Sequence, residues 1–311
     1  MTKWSAALDQ AGVDDAHLRR DYDTRRRLVR RFAREEYVAT RLLLPARLHP
    51  AVIAAVAFMH ETDERIDAGD PLTRQEALRS WNRDVTAALE GDHVSPQPTL
   101  RALADAARRH PQLRSRVRAF LDGAPTEANW NGFDTEADFQ DYIDDYSLPA
   151  LMLTAALIAP PSKAGQDEAF QRGCRSLIEA WQRTDFLADL PEDIEQGRIG
   201  IPDDELSCHG LKLDDLRGGP VSRTEAARLV SSQVALAEAA FAQCRSLPDL
   251  VDAENRPFLR ALISVQELRL HDVRRRGGTI LRTGARPSVP ATLRVLAREY
   301  RAARNHRRRP Q

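Results

Sequence analysis

The sequence predicts an all-α protein built as a bundle of helices. Apolar residues recur three and four positions apart along most of the 311 residues, which is the spacing of one helix face. Glycine and proline separate these stretches, and no β-hairpin turn joins two alternating segments. Because the helical pattern continues along the chain, we expect residues 1–311 to form a single domain.

Most of the expected helices end at a proline or a glycine. We expect helices at residues 13–44, 48–68, 73–90, 99–109, 111–122, 134–158, 165–195, 221–245, 247–276 and 288–304. Pro149 and Pro191 lie inside two of them, where each removes a backbone donor and predicts a kink or a disturbed turn. Residues 123–133 and 197–219 are expected to be loop-rich. The basic tail, residues 304–311, is expected to be disordered.

Three aspartates lie four residues apart in the stretch 181–202. Asp185, Asp189 and Asp193 would project along one face of the predicted helix, with a drift of roughly 40° per step. Like charges at this spacing destabilise a helix unless a positive charge lies among them. Carboxylates without neighbouring His or Cys favour Mg²⁺, which binds one or two carboxylates together with substrate phosphates. The stretch therefore predicts a magnesium site.

A second acidic stretch follows the apolar residues 51–59. Asp63 and Asp67 are again four residues apart, and Glu64 lies beside Asp63. Taken alone, this pair is better explained as a solvated helix face. If the two acidic helices face each other in the bundle, however, their carboxylates converge on a central cavity where several Mg²⁺ ions share a diphosphate ligand. That arrangement is suited to ionising an allylic prenyl diphosphate.

Both acidic stretches resemble signature motifs of the squalene and phytoene synthases. The second motif is matched by Gln182, Thr184, Asp185, Asp189, Glu192, Asp193, Gly197, Arg198 and Pro202. The first motif is matched by Ala57, Phe58, Asp63, Glu64 and Asp67. Residues 37–47 and 271–276 resemble further segments of the family. The resemblance implies a class I isoprenoid synthase-like helical bundle with a central cavity, which binds prenyl diphosphates with Mg²⁺ as cofactor.

The resemblance also implies roles for individual residues. The catalytic, metal-binding aspartates would be Asp63, Asp67, Asp189 and Asp193. Further carboxylates would be metal ligands or, alternatively, supporting or exposed groups: Asp185, Glu64 and Glu192. Arg198 and Arg275 would bind the diphosphate, although a solvated basic run is the alternative for residues 274–276. The substrate pocket would be lined by Phe58, His60, Tyr142, Tyr146 and Gln182. Core packing is the alternative for the aromatic residues, and a structural role is the alternative for His60.

The sequence departs from the family motifs at several positions. His60 and Ala188 stand where the family usually has diphosphate-binding arginines. Gly200 replaces a tyrosine, and Asp185 replaces an asparagine. A synthase that joins two prenyl diphosphates needs cations for both, and the sequence is short of them. We therefore expect transfer of one prenyl group, dimethylallyl to farnesyl in length, to a small carbazole-like aromatic acceptor in bacterial secondary metabolism.

Two alternatives stay open at this stage. The first is head-to-head condensation of two prenyl diphosphates, which yields squalene, presqualene diphosphate or phytoene. The second is an inactive binding scaffold, which the altered arginines and glycines would permit. Both acidic faces are intact, and this argues against the scaffold.

Composition argues against several other classes of function. Lys and Arg together number 46, as do Asp and Glu, so no overall positive charge indicates nucleic-acid binding. The 3 cysteines lack the spacing of a zinc site or a disulfide framework. No signal peptide or membrane anchor is visible in the sequence, and we expect a cytoplasmic protein.

Overall fold

The computed structural model describes residues 3–67, 69–91, 94–160, 166–218 and 221–307. Within these ranges every regular element is helical and no β-strand occurs, which confirms the all-α prediction. The α-helices are α1 (Trp4–Gln10), α2 (Ala16–Phe32), α3 (Arg34–Leu43), α4 (His49–Asp67), α5 (Pro71–Glu90), α6 (Pro98–Arg109), α7 (Gln112–Asn129), α8 (Glu136–Tyr142), α9 (Leu148–Ala155), α10 (Gln166–Ala188), α11 (Leu190–Gln196), α12 (Asp203–Cys208), α13 (Leu213–Gly218), α14 (Arg223–Cys244), α15 (Arg256–Arg276), α16 (Ile280–Thr283) and α17 (Val289–Arg307). Short 3₁₀ turns lie at Ala46–Leu48, Leu247–Leu250 and Gly277–Thr279.

The long helix expected at residues 13–44 is in fact two helices. Asp15 begins α2, because its carboxylate accepts a hydrogen bond from the backbone N–H of Leu18 at 2.8 Å. The chain then turns at Ala33, which has φ −118° and ψ 60°, and α3 begins at the next residue. The turn lets α2 pack on α4 and α6 while α3 packs on α15 and α17.

Helix α7 continues past the end that the sequence predicts. It runs through Gly123 and Pro125 to Asn129, so the loop expected at residues 123–133 is wrong over its first half. A Cβ atom on Gly123 would lie 1.9 Å from the carbonyl oxygen of Asp145. The glycine therefore lets the backbone of α7 touch the backbone of the segment after α8.

The kink expected from Pro149 takes the form of a π-helical turn over Ile143–Ser147, between α8 and α9. Pro149 stands at the start of α9, where its missing N–H removes one helical hydrogen bond and the wider turn accommodates the loss. Tyr142 immediately precedes this turn and Tyr146 lies within it, and their ring centroids lie 5.6 Å apart. The turn thus places two tyrosine rings side by side.

The C-terminal segment is helical further than expected. Helix α17 continues to Arg307, whose Nη2 donates to the backbone carbonyls of Leu43 at 3.1 Å and Leu44 at 2.7 Å. Carbonyls at the end of a helix lack partners within it, and Arg307 satisfies those of α3. The disorder predicted for the tail is therefore wrong for residues 304–307, and residues 308–311 lie outside the described part of the chain.

Helix α4 lies at the centre of the bundle. It packs against α2, α5, α6, α7 and α9, and almost all of its residues from His49 to Phe58 are buried. A helix that is apolar on every side belongs in an interior. Asp63 and Asp67 follow in its last turns, where the buried part ends. Helix α10 packs against α9, α14 and α15 and brings up the second acidic face. No helix in the described ranges is long and apolar enough to cross a membrane.

We expect His49 to make the protein less stable in acid. Its ring is buried, its Nε2 donates to the carbonyl of Leu44 at 3.0 Å, and burial lowers its pKa to about 4. The unfolded chain, with a histidine pKa of about 6.5, binds more protons between these values, so stability falls as the pH falls through this range. Between pH 7 and pH 5 the free energy of unfolding should decrease by about 2 kcal/mol less in His49→Gln than in the wild type. Urea unfolding at the two pH values measures this, and equal decreases would contradict the assignment.

The contact at Gly123 predicts a destabilising Gly123→Ala substitution. The added methyl group meets rigid backbone, and overpacking of this kind typically costs about 1–3 kcal/mol. Gly173→Ala in α10 is the matched control, because a Cβ atom there meets the flexible side chain of Leu247 at 2.8 Å. Urea unfolding should show a clear loss for the first variant and little change for the second. Equal effects in both variants would show that the approach of α7 to the π-helical turn is not tight.

Candidate active site

Asp63 is the sheltered carboxylate of the first acidic face. Tyr146 donates a hydrogen bond from its hydroxyl to Asp63 Oδ1 at 3.0 Å. Burial raises the pKa of Asp63 to about 7; the nearby charges of Glu127 and Asp67 act in the same direction, and the hydrogen bond from Tyr146 opposes them. Asp67 and Glu64 are exposed at the same end of α4. The first face thus presents one half-buried and two solvent-facing carboxylates.

Glu127, near the end of α7, connects the first acidic face to the second. The Tyr142 hydroxyl donates to Glu127 Oε2 at 2.6 Å, and Arg198 Nη2 donates to Glu127 Oε1 at 3.4 Å. Burial raises the pKa of Glu127, while the hydrogen bond from Tyr142 and the charge of Arg198 lower it. The charge of Asp67 acts in the opposite direction to that of Arg198, so Glu127 interacts with a residue of the first face and with the arginine that follows the second.

A helix-ending turn holds Arg198 in place. Gly197 has φ 72°, in the left-handed region, and the N–H of Arg198 donates to the carbonyl of Asp193 at 3.0 Å. The turn brings the Arg198 guanidinium to 4.7 Å from the ring centroid of Trp130. The Nε of Arg198 is buried and has no hydrogen-bond partner among the described residues. A donor is therefore left free at the site.

The second acidic face spans the break between α10 and α11. Asp189 stands at the break with φ −100° and ψ 6°, and Pro191 follows at the start of α11. The N–H of Asp189 nevertheless donates to the Asp185 carbonyl at 2.9 Å, and the N–H of Asp193 donates to the Asp189 carbonyl at 3.1 Å. The disturbance expected from Pro191 is present, yet the three aspartates remain one turn apart.

An arginine from α15 binds two of these aspartates. Arg269 donates through Nη1 to Asp185, and through Nη2 to both carboxylate oxygens of Asp189 at 2.9 and 2.8 Å. Burial raises the pKa of Asp185 to about 6, although the charge of Arg269 lowers it. Arg269 thus compensates part of the negative charge of the second face.

Asp193 has no ion-pair partner in the described part of the chain. Burial raises its pKa to about 7, the charges of Asp189 and Glu192 act in the same direction, and the charge of Arg198 opposes them. Glu192 itself is exposed. Asp193 is therefore the carboxylate of this face that would gain most from an added cation.

The carboxylates fit Mg²⁺ that is shared with a substrate. Over the described ranges, no three His, Cys, Asp or Glu side chains lie close enough together to hold a metal by themselves. Mg²⁺, however, usually binds one or two carboxylates and completes its coordination with water and phosphate oxygens. Asp63 and Asp193 are hard oxygen donors, burial raises the pKa of both, and neither has an ion-pair partner among the described residues.

Two residues predicted to line the pocket make packing contacts with other side chains. Phe58 is fully buried, with the Trp81 ring centroid 6.1 Å away and the Phe120 ring centroid 5.8 Å away, so it packs in the core. His60 stacks on Phe32 with 3.7 Å between ring centroids, and its Nε2 lies 3.6 Å from Glu64 Oε1. The alternative interpretations of these two residues, core packing and a structural histidine, match the contacts. Tyr142 and Tyr146, in contrast, both hydrogen-bond site carboxylates.

Arg275, predicted to bind the diphosphate, contacts an aspartate of its own helix in this structure. Arg275 is 65% exposed and binds Asp272 on its own helix, where its Nε donates at 3.2 Å. The side chain of α15 that reaches the aspartates is Arg269. Gln182 lies on α10 and accepts a long hydrogen bond from the Ser147 hydroxyl at 3.5 Å, which places it beside the π-helical turn.

Two site residues, Glu127 and Arg269, were missed by sequence reasoning. Glu127 fell in a predicted loop, so no helix periodicity assigned it to the site. Arg269 does carry a signal, because it lies three residues after the buried Gln266 and four before the buried Val273. An arginine on the core side of a helix indicates a sheltered ion pair.

Ala188 and Gly200, the two small residues that depart from the second motif, are both closely packed against neighbouring residues. Ala188 is buried, and its carbonyl accepts a hydrogen bond from the N–H of Ala285 at 2.9 Å. A Cβ atom on Gly200 would lie 2.1 Å from the ring of Phe186. Phe186 thus fills the space in which a side chain at position 200 would begin, and it packs in a cluster with Phe133, Phe139 and Tyr142.

Comparisons with known proteins identify the family of this chain. The squalene/phytoene synthase family model matches residues 29–292. A bifunctional protein CrtB/UppS of Streptomyces coelicolor is 30% identical over 292 residues, covering 93% of this chain and 50% of that protein. A phytoene synthase of Mycobacterium tuberculosis is 32% identical over 194 residues, covering 60% of each. The chain thus spans about half to three fifths of the length of these curated relatives.

Solved structures share the fold over nearly their whole length. The squalene synthase HpnC of Alicyclobacillus acidocaldarius superposes with a TM-score of 0.76 at 25% identity, covering 87% of this chain and 98% of that one. A dehydrosqualene synthase in complex with a ligand superposes with a TM-score of 0.78 at 20% identity, covering 93% and 98%. Together with the match of the family model, these similarities show that the chain belongs to the squalene/phytoene synthase family.

Proposed function

We propose that this chain is a prenyltransferase that ionises an allylic prenyl diphosphate and joins the resulting cation to a second prenyl diphosphate. The observation that carries the proposal is the meeting of two acidic faces around one ion pair. Glu127 and Arg198 form the ion pair; the charges of Asp63 and Asp67 interact with Glu127, and that of Asp193 interacts with Arg198. Such a set of carboxylates needs added cations, and a diphosphate with Mg²⁺ is a ligand that matches it.

The residues of the site take separate parts in the reaction. Asp63, Asp67 and Asp193 would hold Mg²⁺, which supplies positive charge to the departing diphosphate. The Arg198 side chain is 34% exposed, and its guanidinium would donate to a diphosphate oxygen. Cleavage of the C–O bond leaves an allylic cation, which the face of a tyrosine ring stabilises by about 0.5–2 kcal/mol. Tyr142 and Tyr146 are the aromatic residues held at this place by hydrogen bonds to site carboxylates.

The acceptor is the point on which two candidates differ. The proteins named above include a phytoene synthase and a squalene synthase, and this supports condensation of two prenyl diphosphates. The shortage of cations that favoured an aromatic acceptor is smaller than the motifs suggest, because Arg269 brings a positive charge to the second face. An aromatic, carbazole-like acceptor remains the second candidate, since Ala188 and His60 supply none of the arginines usual in the family.

Product analysis distinguishes the candidates. Purified protein is incubated with Mg²⁺ and dimethylallyl, geranyl, farnesyl or geranylgeranyl diphosphate, with and without carbazole, and diphosphate release and product mass are measured. We expect release from a long donor alone, with a product of two prenyl units. Release that requires carbazole and adds one prenyl unit to it would support the second candidate. No release from any donor would overturn both.

The hydrogen bond between Tyr146 and Asp63 predicts weaker metal binding in Tyr146→Phe. Removing a hydrogen bond to a metal ligand typically lowers metal affinity about 10–100-fold. The matched control is Tyr22→Phe, which removes a 3.0 Å hydrogen bond to Asp105 from another buried tyrosine. The Mg²⁺ concentration that gives half-maximal diphosphate release should rise in the first variant only. An unchanged value in Tyr146→Phe, or an equal rise in the control, would contradict the role of Asp63 as a ligand.

A further inference from the structure

The second acidic face already contains a cation of the protein itself. Arg269 Nη1 contacts Asp185, and Arg269 Nη2 contacts both oxygens of Asp189 at 2.9 and 2.8 Å. The Arg269 side chain is 20% exposed, against 30% for Asp185 and 47% for Asp189, so it is the least exposed of the three side chains. These contacts form a charge-assisted network in which one guanidinium binds two carboxylates.

We propose that Arg269 takes the place of a metal ion at Asp185 and Asp189, so that Asp193 is the metal-binding carboxylate of the second face. The proposal rests on the proposed function, since it concerns the cations of that reaction. A divalent ion bound to these two carboxylates would lie within a few ångströms of a guanidinium that cannot lose its proton. The repulsion disfavours a metal there for as long as Arg269 stays in contact.

The neighbouring residues agree with this division of the aspartates. Asp193 lies one turn further along, has no ion-pair partner in the described chain, and is reached by no contact from Arg269. Ala188, immediately before Asp189, carries no charge, and its backbone is tied to Ala285. Arg269 of α15 therefore supplies a positive charge where Ala188 of α10 replaces the arginine usual in the motif.

The ion pair also accounts for the aspartate at position 185. An asparagine there would be a neutral partner for Arg269, and the guanidinium would face the single negative charge of Asp189. With Asp185 the group has two carboxylates and one guanidinium, and a net charge of −1 is shared between them. Without Arg269 the two carboxylates would carry a charge of −2, so Arg269 offsets the negative charge that Asp185 adds to the face.

Metal counting tests the proposal directly. The wild type, Arg269→Gln and Arg269→Lys are titrated with Mn²⁺ in the presence of inorganic diphosphate, and the number of bound ions per chain is measured by electron paramagnetic resonance. Arg269→Gln should bind one ion more than the wild type, because Asp185 and Asp189 become free ligands. Arg269→Lys should match the wild type, because the positive charge is kept. The matched control is Arg175→Gln, which removes an arginine that binds two other carboxylates, Asp144 at 2.7 Å and Glu179 at 3.1 Å.

The possible outcomes separate this proposal from the function itself. An extra ion in Arg269→Gln, with none in the lysine variant or in Arg175→Gln, supports the replacement of a metal by Arg269. Equal ion counts in the wild type and Arg269→Gln would overturn it, whether or not the enzyme releases diphosphate. Conversely, an enzyme that releases no diphosphate yet gains an ion in Arg269→Gln would overturn the function and leave the inference about Arg269 standing.

Discussion

The site depends on the compensation of negative charge that the fold shelters from water. Carboxylates come together at the end of α4 and at the break between α10 and α11, and burial raises the pKa of both Asp63 and Asp193. An uncompensated sheltered charge is costly, so each of these groups requires a hydrogen bond, an ion pair or a bound cation. The helices and turns around the site position the side chains that supply these hydrogen bonds and ion pairs.

Three backbone features position the side chains that hydrogen-bond or ion-pair with the site carboxylates. The π-helical turn after α8 brings Tyr142 to Glu127 and Tyr146 to Asp63, and Gly123 lets α7 approach that turn. The left-handed Gly197 ends α11 so that Arg198 turns back toward Glu127. Each feature departs from regular helix geometry at a place where a polar side chain must be aimed. Departures of this kind, π-helical turns among them, are frequent at functional sites.

The sequence predicted what depends on local spacing and missed what depends on the approach of distant helices. The fold class, the two acidic faces and the position of Arg198 follow from periodicity and motif spacing, and the aspartates keep their spacing even across Pro191. The extension of α7 through Gly123 and Pro125 was missed because both residues normally end helices, whereas here packing against the π-helical turn overrides that preference. Arg275 was named because the basic run at residues 274–276 resembles a family segment, whereas the contact of Arg269 with Asp185 and Asp189 depends on how α15 packs against α10.

The position of Arg269 changes how cations should be counted in a sequence of this kind. A count made along the two acidic motifs finds His60 and Ala188 and concludes that positive charge is lacking. The charge that acts on a carboxylate, however, depends on distance in space, and Arg269 stands 80 or more residues away in the chain yet within hydrogen-bonding distance of Asp185 and Asp189. A motif that lacks an arginine therefore shows that its own helix lacks that positive charge. It does not show that the site lacks it, because another helix can supply an arginine. For that reason the missing motif arginines alone do not decide how many diphosphates the site can hold, and the choice of acceptor has to follow from the cations that actually surround the carboxylates.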